Sequence, residues 1–415
     1  MPKTLVNIVT DDNPIPAYLF IKEKYEPGDR LMFISALSTQ DDLTFLSGLF
    51  SVPQGHIVSI TFRQADDEIT YEKICRIVRS RLEQEADRNI QYHVNLAGGT
   101  RYMALAVQRV FERYDTTYFY VHVDKNLIVQ TIYDDSINDD DDRFYPIRHR
   151  MTVKEYLDAH ALQHNLDTQP DFHSPIRSEE EVTHFYKLFA GQKLGSTHRT
   201  LELLRTHYRN RRSICIAEAE ATGCGGPQLP NLSDSLRRIG FIPQEPDTLN
   251  KRELEYLTGG WFEEYIYYLV RKNFQPQDIV LSVTFASCGV DIHRICNEMD
   301  VVFTKGNKLF VIECKTGVET QARFNEIAYK LCALREALLG LSCHSYIFSL
   351  KQDTPDSLLK RIATGMGSTF VDRTLLTSPD KTWMRLVWEK MSQEASEAKI
   401  TSNPPPFRVN FPQFT

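Results

Sequence analysis

Short apolar runs alternate with amphipathic stretches through the first 150 residues. LVNIVT (5–10), RLMFISAL (30–37) and HIVSITF (56–62) are rich in β-branched and aromatic residues, as buried strands should be. AYLFIKEKY follows the first run as a helix. YEKICRIVRSRLEQEAD (71–87) sets Ile74, Ile77, Val78 and Leu82 at helical spacing. QYHVNLAGG (91–99) reads as a strand ending in glycines, TRYMALAVQRVFERY as a helix, and TYFYVHVD with NLIVQTIYD as a closing hairpin. Strands alternating with helices predict a mostly parallel sheet with helices on its faces. In such sheets ligands bind beyond the carboxyl ends of the strands. The loops Thr10-Asp11-Asp12-Asn13-Pro14 and Asn95-Leu96-Ala97-Gly98-Gly99-Thr100-Arg101 fall there.

The pattern changes after residue 150. Residues 151–250 are a helical and polar middle region that includes TLELLRTHYRNRRSICIAEAEA and the Gly/Pro-rich break TGCGGPQLPNL. From 251 to 385 a second α/β pattern runs. ELEYLTGGWFEEYIYYLVRKNF is a helix, with Gly259 and Gly260 interrupting it or marking its start. DIVLSVTF, NEMDVVF, KLFVIECK and HSYIFSL are strand-like, and ARFNEIAYKLCALREALLG is a helix between the last two. Residues 386–415 form a polar, Pro-rich tail, expected to be loose or wrapped on the surface.

A chain of 415 residues is long enough for two or three domains. With 42% hydrophobic and 25% charged residues it has the make-up of a soluble globular protein. No apolar run is long enough to cross a bilayer, and the start of the chain lacks the basic residues and cleavage site of a signal peptide. The expected location is the cytoplasm. The eight cysteines form no CxxC pair, which argues against structural zinc and a disulfide framework. A net charge of -7 counts against a general coat protein for duplex DNA, but leaves room for local basic strips. Arg205, Arg209, Arg211 and Arg212 form one such cluster, readable as a nucleic-acid contact or as a solvated helix end. The acidic run YDDSINDDDDR (133–143) reads as a solvated turn.

The candidate chemistry lies in NEMDVVFTKGNKLFVIECKTG. Gly306 and Asn307 suit the centre of a tight hairpin. A two-residue turn there sets Lys305 opposite Lys308 and, counting back, Asp300 opposite Glu313. Carboxylates that close repel unless a cation or proton lies between them. A hard divalent ion such as Mg²⁺ or Mn²⁺ resolves the conflict. Lys315, two residues on, points to the same face as Glu313. Charged residues inside so apolar a strand need a reason.

The segment resembles the PD-(D/E)xK nuclease superfamily, on N-E-M-D-V-V-F, V-I-E-C-K-T and the helix that follows. The resemblance implies a restriction-endonuclease-like fold, with Asp300 and Glu313 as metal ligands and Lys315 as the catalytic lysine. GGWFEEYIYYLV looks like the family's upstream helix, which would make Glu263, in preference to Glu264, an accessory acid and third metal ligand. Met299 replaces the usual proline before the aspartate, and Glu298 is the weaker candidate on the same face.

In the N-terminal half, Gly98-Gly99-Thr100-Arg101 opens a helix whose free N–H groups suit a phosphate. Together with the polar loop after the first strand, it resembles CARF domains, the Rossmann-like CRISPR-associated sensors of cyclic oligoadenylate. The pairing resembles the ancillary nucleases of type III CRISPR systems. It implies a homodimer that binds cyclic tetra-adenylate across its two-fold axis and then cleaves DNA or RNA with Mn²⁺ or Mg²⁺. Thr10, Asp11, Asp12, Asn13, Gly98, Gly99, Thr100 and Arg101 are the expected ligand contacts, with Ser38 and Thr39 as weaker ones. The alternative is a cyclic-oligoadenylate-binding regulator whose nuclease-like domain is inactive. A third option is a sensor domain that degrades its own activator.

Overall fold

The computed structural model describes residues 2–10, 13–37, 48–63, 70–84, 90–131, 144–190, 195–287, 297–316, 321–334, 343–350, 352, 357–378 and 382–391. Of the expected ligand contacts, Asp11, Asp12, Ser38 and Thr39 lie outside the described residues, as do the acidic run 133–143 and nearly all of the tail. The chain forms two compact units. One is built on residues up to Arg150 together with the turn Gly306–Lys308, and the other runs from Met151 to Leu386 apart from that turn. Among the described residues no helix is long and apolar enough to cross a membrane. Cys75, Cys215, Cys224, Cys314, Cys332 and Cys343 are reduced thiols.

The first unit is a seven-stranded sheet. Its strands are β1 (Lys3–Thr10), β2 (Arg30–Leu37), β3 (Ile57–Arg63), β4 (Gln91–Asn95), β5 (Thr116–His122), β6 (Leu127–Thr131) and β7 (Phe144–Pro146). Their order is β3-β2-β1-β4-β5-β6-β7. The first five in that order are parallel, and β6 and β7 close the edge antiparallel, so the expected hairpin is the β5–β6 pair. Helices α1 (Ile15–Lys24), α2 (Tyr71–Gln84) and α3 (Arg101–Phe111) connect them. Ile74, Val78 and Leu82 on α2 and Met103, Val107 and Val110 on α3 share one core with Val6, Ile8, Ile34 and Val94 of the sheet. The direction of strand order reverses at β1, which lies between β2 and β4. The loops after β1 and β4 therefore flank the crevice where α/β sheets bind ligands.

The second unit carries a six-stranded sheet, order β15-β14-β13-β12-β11-β8. The strands are β8 (Leu162–His164), β11 (Asp278–Ser287), β12 (Asn297–Lys305), β13 (Lys308–Lys315), β14 (Cys343–Ser349) and β15 (Ser368–Val371). A separate antiparallel ribbon joins β9 (Ser213–Cys215) to β10 (Thr248–Asn250). The helices, in chain order, are α4 (Val153–Ala159), α5 (Glu179–Ala190), α6 (Gly195–His207), α7 (Ile216–Ala221), α8 (Leu232–Arg238), α9 (Lys251–Glu255), α10 (Trp261–Phe274), α11 (Gln321–Leu334), α12 (Leu358–Gly365), α13 (Arg373–Thr377) and α14 (Thr382–Met391). β13 is buried from Lys308 to Cys314, as a strand covered on both faces must be. Because β8 pairs with β11, residues expected in a middle region belong to the same sheet as the strands that carry Asp300 and Glu313.

The expectation of a helical middle region is refined at one point: after α6 ends at His207 the chain runs as β9 before α7 begins. Pairing of Ser213–Cys215 with Thr248–Asn250 outweighs the helical spacing there. A second helix expectation holds with a refinement. The Gly259–Gly260 interruption is a π-helical turn over Tyr256–Gly260, in which Gly259 is non-helical, and α10 begins at Trp261.

Candidate functional site

Asp300 sits on β12, and Glu313 and Lys315 sit on β13. The link between these strands is a two-residue turn at Gly306 and Asn307, with φ of 58° and 59°. Positive φ at both positions is the type I′ geometry, which glycine and asparagine tolerate and which matches strand twist. Lys315 Nζ lies 2.7 Å from Glu313 Oε1 and 3.7 Å from Asp300 Oδ2. Asp300 Oδ2 also accepts the backbone N–H of Cys314 at 2.6 Å. The three side chains thus converge on one point.

Two features of this point were not read from the sequence. Lys330 on α11 brings Nζ to 3.8 Å from Glu313 Oε2 and donates to the Glu298 carbonyl at 2.8 Å. The one signal for it is its place on the helix after the E-x-K strand. On the other side of Asp300, the β11–β12 ladder is interrupted. Leu281 pairs with Val301 and Val283 with Met299, while Ser282, between them, stands outside the ladder with left-handed backbone (φ 50°).

The electrostatics are those of crowded acids. Burial, then the negative charge of Glu313, pushes the Asp300 carboxyl up to about 7, against the pull of Lys315 and the Cys314 N–H. Glu263, half-buried in the first turn of α10, is held well above the usual carboxylate range by desolvation and by Asp300 and Glu298. Lys315 is raised despite its burial, because Asp300 and Glu313 favour its charge. Glu264 is engaged elsewhere, accepting the backbone N–H groups of Ile176 and Arg177 at 2.8 and 3.2 Å.

The donor set fits one hard divalent cation. Glu313 Oε2 is buried and accepts no hydrogen bond. With Lys330 Nζ at 3.8 Å, beyond hydrogen-bond reach, the oxygen keeps a free lone pair that a hard cation could use. Among the described residues no group of three or more His, Cys, Asp or Glu side chains forms a ready-made cage. Mg²⁺ needs none, since it is commonly held by one or two carboxylates, water and substrate phosphate.

In the first unit the expected ligand loops are tied to each other. Thr10 Oγ1 donates to the Gly98 carbonyl at 2.8 Å, and Asn13 N–H donates to the Thr10 carbonyl. Gly98 has φ +99°, and a Cβ there would come within 2.6 Å of the Ile8 carbonyl oxygen. At Gly99 a Cβ would lie 2.2 Å from Ile8 Cγ2. Thr100 caps α3, its hydroxyl oxygen accepting Met103 N–H, and Arg101 is exposed beside it. A buried asparagine pair, missed in the sequence, props the loop. Asn95 Nδ2 donates to Asn7 Oδ1 and to the Pro16 carbonyl, while Asn95 Oδ1 accepts Ala97 N–H.

Fold and site together define a Rossmann-like domain followed by a nuclease domain of the restriction-endonuclease kind. Residues 4–156 match the family model described as the Card1 CARF domain. Residues 250–367 match the model described as the Card1-like endonuclease domain. The chain carries a Card1-type CARF domain and a Card1-like endonuclease domain. No curated protein matches it at the level of sequence. Two solved structures share its fold over most of their length. Protein VC1899 from Vibrio cholerae is 18% identical with a TM-score of 0.66, covering 94% of this chain and 98% of its own. Can2 from Sulfobacillus thermosulfidooxidans, solved in complex with cyclic tetra-adenylate, is 20% identical with a TM-score of 0.63, covering 93% and 98%.

Proposed function

We propose that the chain is a nuclease of type III CRISPR defence that requires Mg²⁺ or Mn²⁺ and is switched on by cyclic tetra-adenylate. The observation that carries the nuclease half is the donorless, buried Oε2 of Glu313 beside Asp300 and Lys315. Asp300 and Glu313 would hold the cation, with Glu263 as an outer acid. Bound there, the cation would lower the pKa of an attacking water and offset charge on the scissile phosphate. Lys315 places a fixed positive charge where negative charge develops on that phosphate, and Lys330 keeps a second cation against Glu313. Burial of the strand limits water around these groups and strengthens their fields.

The sensor half rests on the CARF domain, on the crevice between the loops after β1 and β4, and on the cyclic tetra-adenylate held by Can2. Free N–H groups at the start of α3, with Thr100 and Arg101, suit a phosphate. Tyr102 and Leu105 on α3 are 67% and 58% exposed, an apolar stripe that supports a two-fold dimer around one cyclic ligand.

The test uses full-length protein with Mg²⁺ or Mn²⁺, plasmid DNA and labelled single-stranded DNA and RNA, with and without cyclic tetra- or hexa-adenylate. Cleavage should need both metal and cyclic tetra-adenylate. Glu313→Gln should lower it about 100-fold or more while leaving activator binding intact. Undiminished cutting by Glu313→Gln would reject the site. No cutting under any condition would support the inactive-regulator alternative, and loss of the activator in both Glu313→Gln and wild type would reveal degradation by the sensor domain.

A further inference from the structure

An acidic metal centre repels the polyanion it must cut, so the substrate backbone needs cationic contacts nearby. We propose that the turn after α6 grips the nucleic-acid strand leading to the cleavage centre, with Arg209 and Arg212 each holding a backbone phosphate. The proposal rests on the nuclease reading above and adds to it the element that binds the substrate.

Several independent features place and prepare this turn. Helix α6 packs against Tyr256–Gly260, the π-helical turn that leads straight into α10 and Glu263. Arg209 and Arg212 are both exposed, and among the described residues no hydrogen bond or ion pair holds either one. Most other arginines of this segment are occupied: Arg205 faces Glu202, and Arg237 and Arg238 both face Asp234.

The turn is also firmly mounted. Tyr208, fully buried next to Arg209, sets its hydroxyl between the carbonyls of Gly223 and Pro227. Arg211 lays its guanidinium over the Tyr208 ring, 5.3 Å from the centroid. One arginine of the cluster therefore braces the turn while its neighbours on either side face outward. A planar guanidinium on a rigid mount is suited to a phosphate oxygen pair. Phosphate is the class of ligand that an unpaired arginine pair beside a nuclease centre selects, and it is present in every nucleic-acid sequence.

The experiment measures binding and cleavage separately in the full-length protein. Anisotropy of a labelled oligonucleotide is followed across salt concentrations in EDTA, where no cleavage occurs. The double variant Arg209→Ala/Arg212→Ala should flatten the plot of log K against log salt by about 1 to 2 units, and Arg209→Lys/Arg212→Lys should restore most of the slope. In the cleavage assay the alanine pair should raise KM about tenfold with kcat changed far less. An unchanged slope and KM in the alanine pair would overturn the proposal, and so would failure of the wild-type protein to bind any oligonucleotide. If wild type binds with the expected slope but never cleaves, the nuclease reading fails while the phosphate grip stands. If wild type cleaves and the alanine pair matches it, the grip alone fails.

Discussion

Asp300 and Glu313 are held in proximity by the fold at a cost that is visible in the raised Asp300 carboxyl. Their types and spacing could be counted from the hairpin, because a two-residue turn leaves one register. What could not be counted was Lys330, whose approach depends on how α11 crosses the sheet, and no one-dimensional spacing records that. The glycines of the sensor loop show a similar split. GGT reads from sequence as a turn, but only the three-dimensional contact shows that Gly99 has no room for a Cβ beside Ile8. Gly99→Ala should therefore destabilise the first unit by about 1 to 3 kcal/mol, seen as a lowered thermal midpoint. His160 offers a test of a different kind. Its Nε2 is buried without a partner, and desolvation depresses the ring to about 3. The native ring stays neutral while the unfolded chain takes up a proton below about pH 6.5, so this group's stability is present above that pH and is lost as pH falls towards 3. The loss is at most about 1.4 kcal/mol per pH unit. Chemical denaturation of His160→Phe should show a correspondingly flatter decline between pH 6.5 and 4.

At the scale of elements, the strands were legible because each is a compact β-branched or aromatic run between turn formers. The short strand β9 within the helical middle region was not legible, because Ile214 and Ile216 fit an apolar rhythm that serves a helix and a short strand equally well. The deciding partner, Thr248–Asn250, lies far along the chain. Caps, by contrast, act locally. Thr152 and Glu155 form a reciprocal capping box at α4. Thr152→Ala should cost about 1 kcal/mol, measurable by denaturant titration. Lys330→Met is the corresponding test for α11. It should keep the fold, since the side chain is partly exposed, and reduce cleavage if its charge serves the centre.

For the molecule as a whole, the alternation of strands and helices was enough to separate two α/β patterns, because each repeats its own rhythm. The extent of the second unit was not legible. Its sheet ends in β8, a strand of three residues that composition does not distinguish from the helical segment around it. The exposed pair Tyr102 and Leu105 belongs to this scale as well. If it is the dimer face, Tyr102→Glu/Leu105→Glu should weaken self-association about tenfold or more in sedimentation equilibrium, with the monomer's circular dichroism unchanged.

The break in the ladder at Ser282, beside Asp300, has a consequence for motion. Where a ladder lacks a rung, local opening needs less free energy than it does in the intact sheet on either side. In deuterium exchange, a peptide spanning Ser282 should therefore take up label sooner than one within Val301–Thr304, and occupancy of the centre by a divalent ion should narrow the gap. The sheet that carries Asp300 would then be most yielding beside the aspartate proposed to hold the cation.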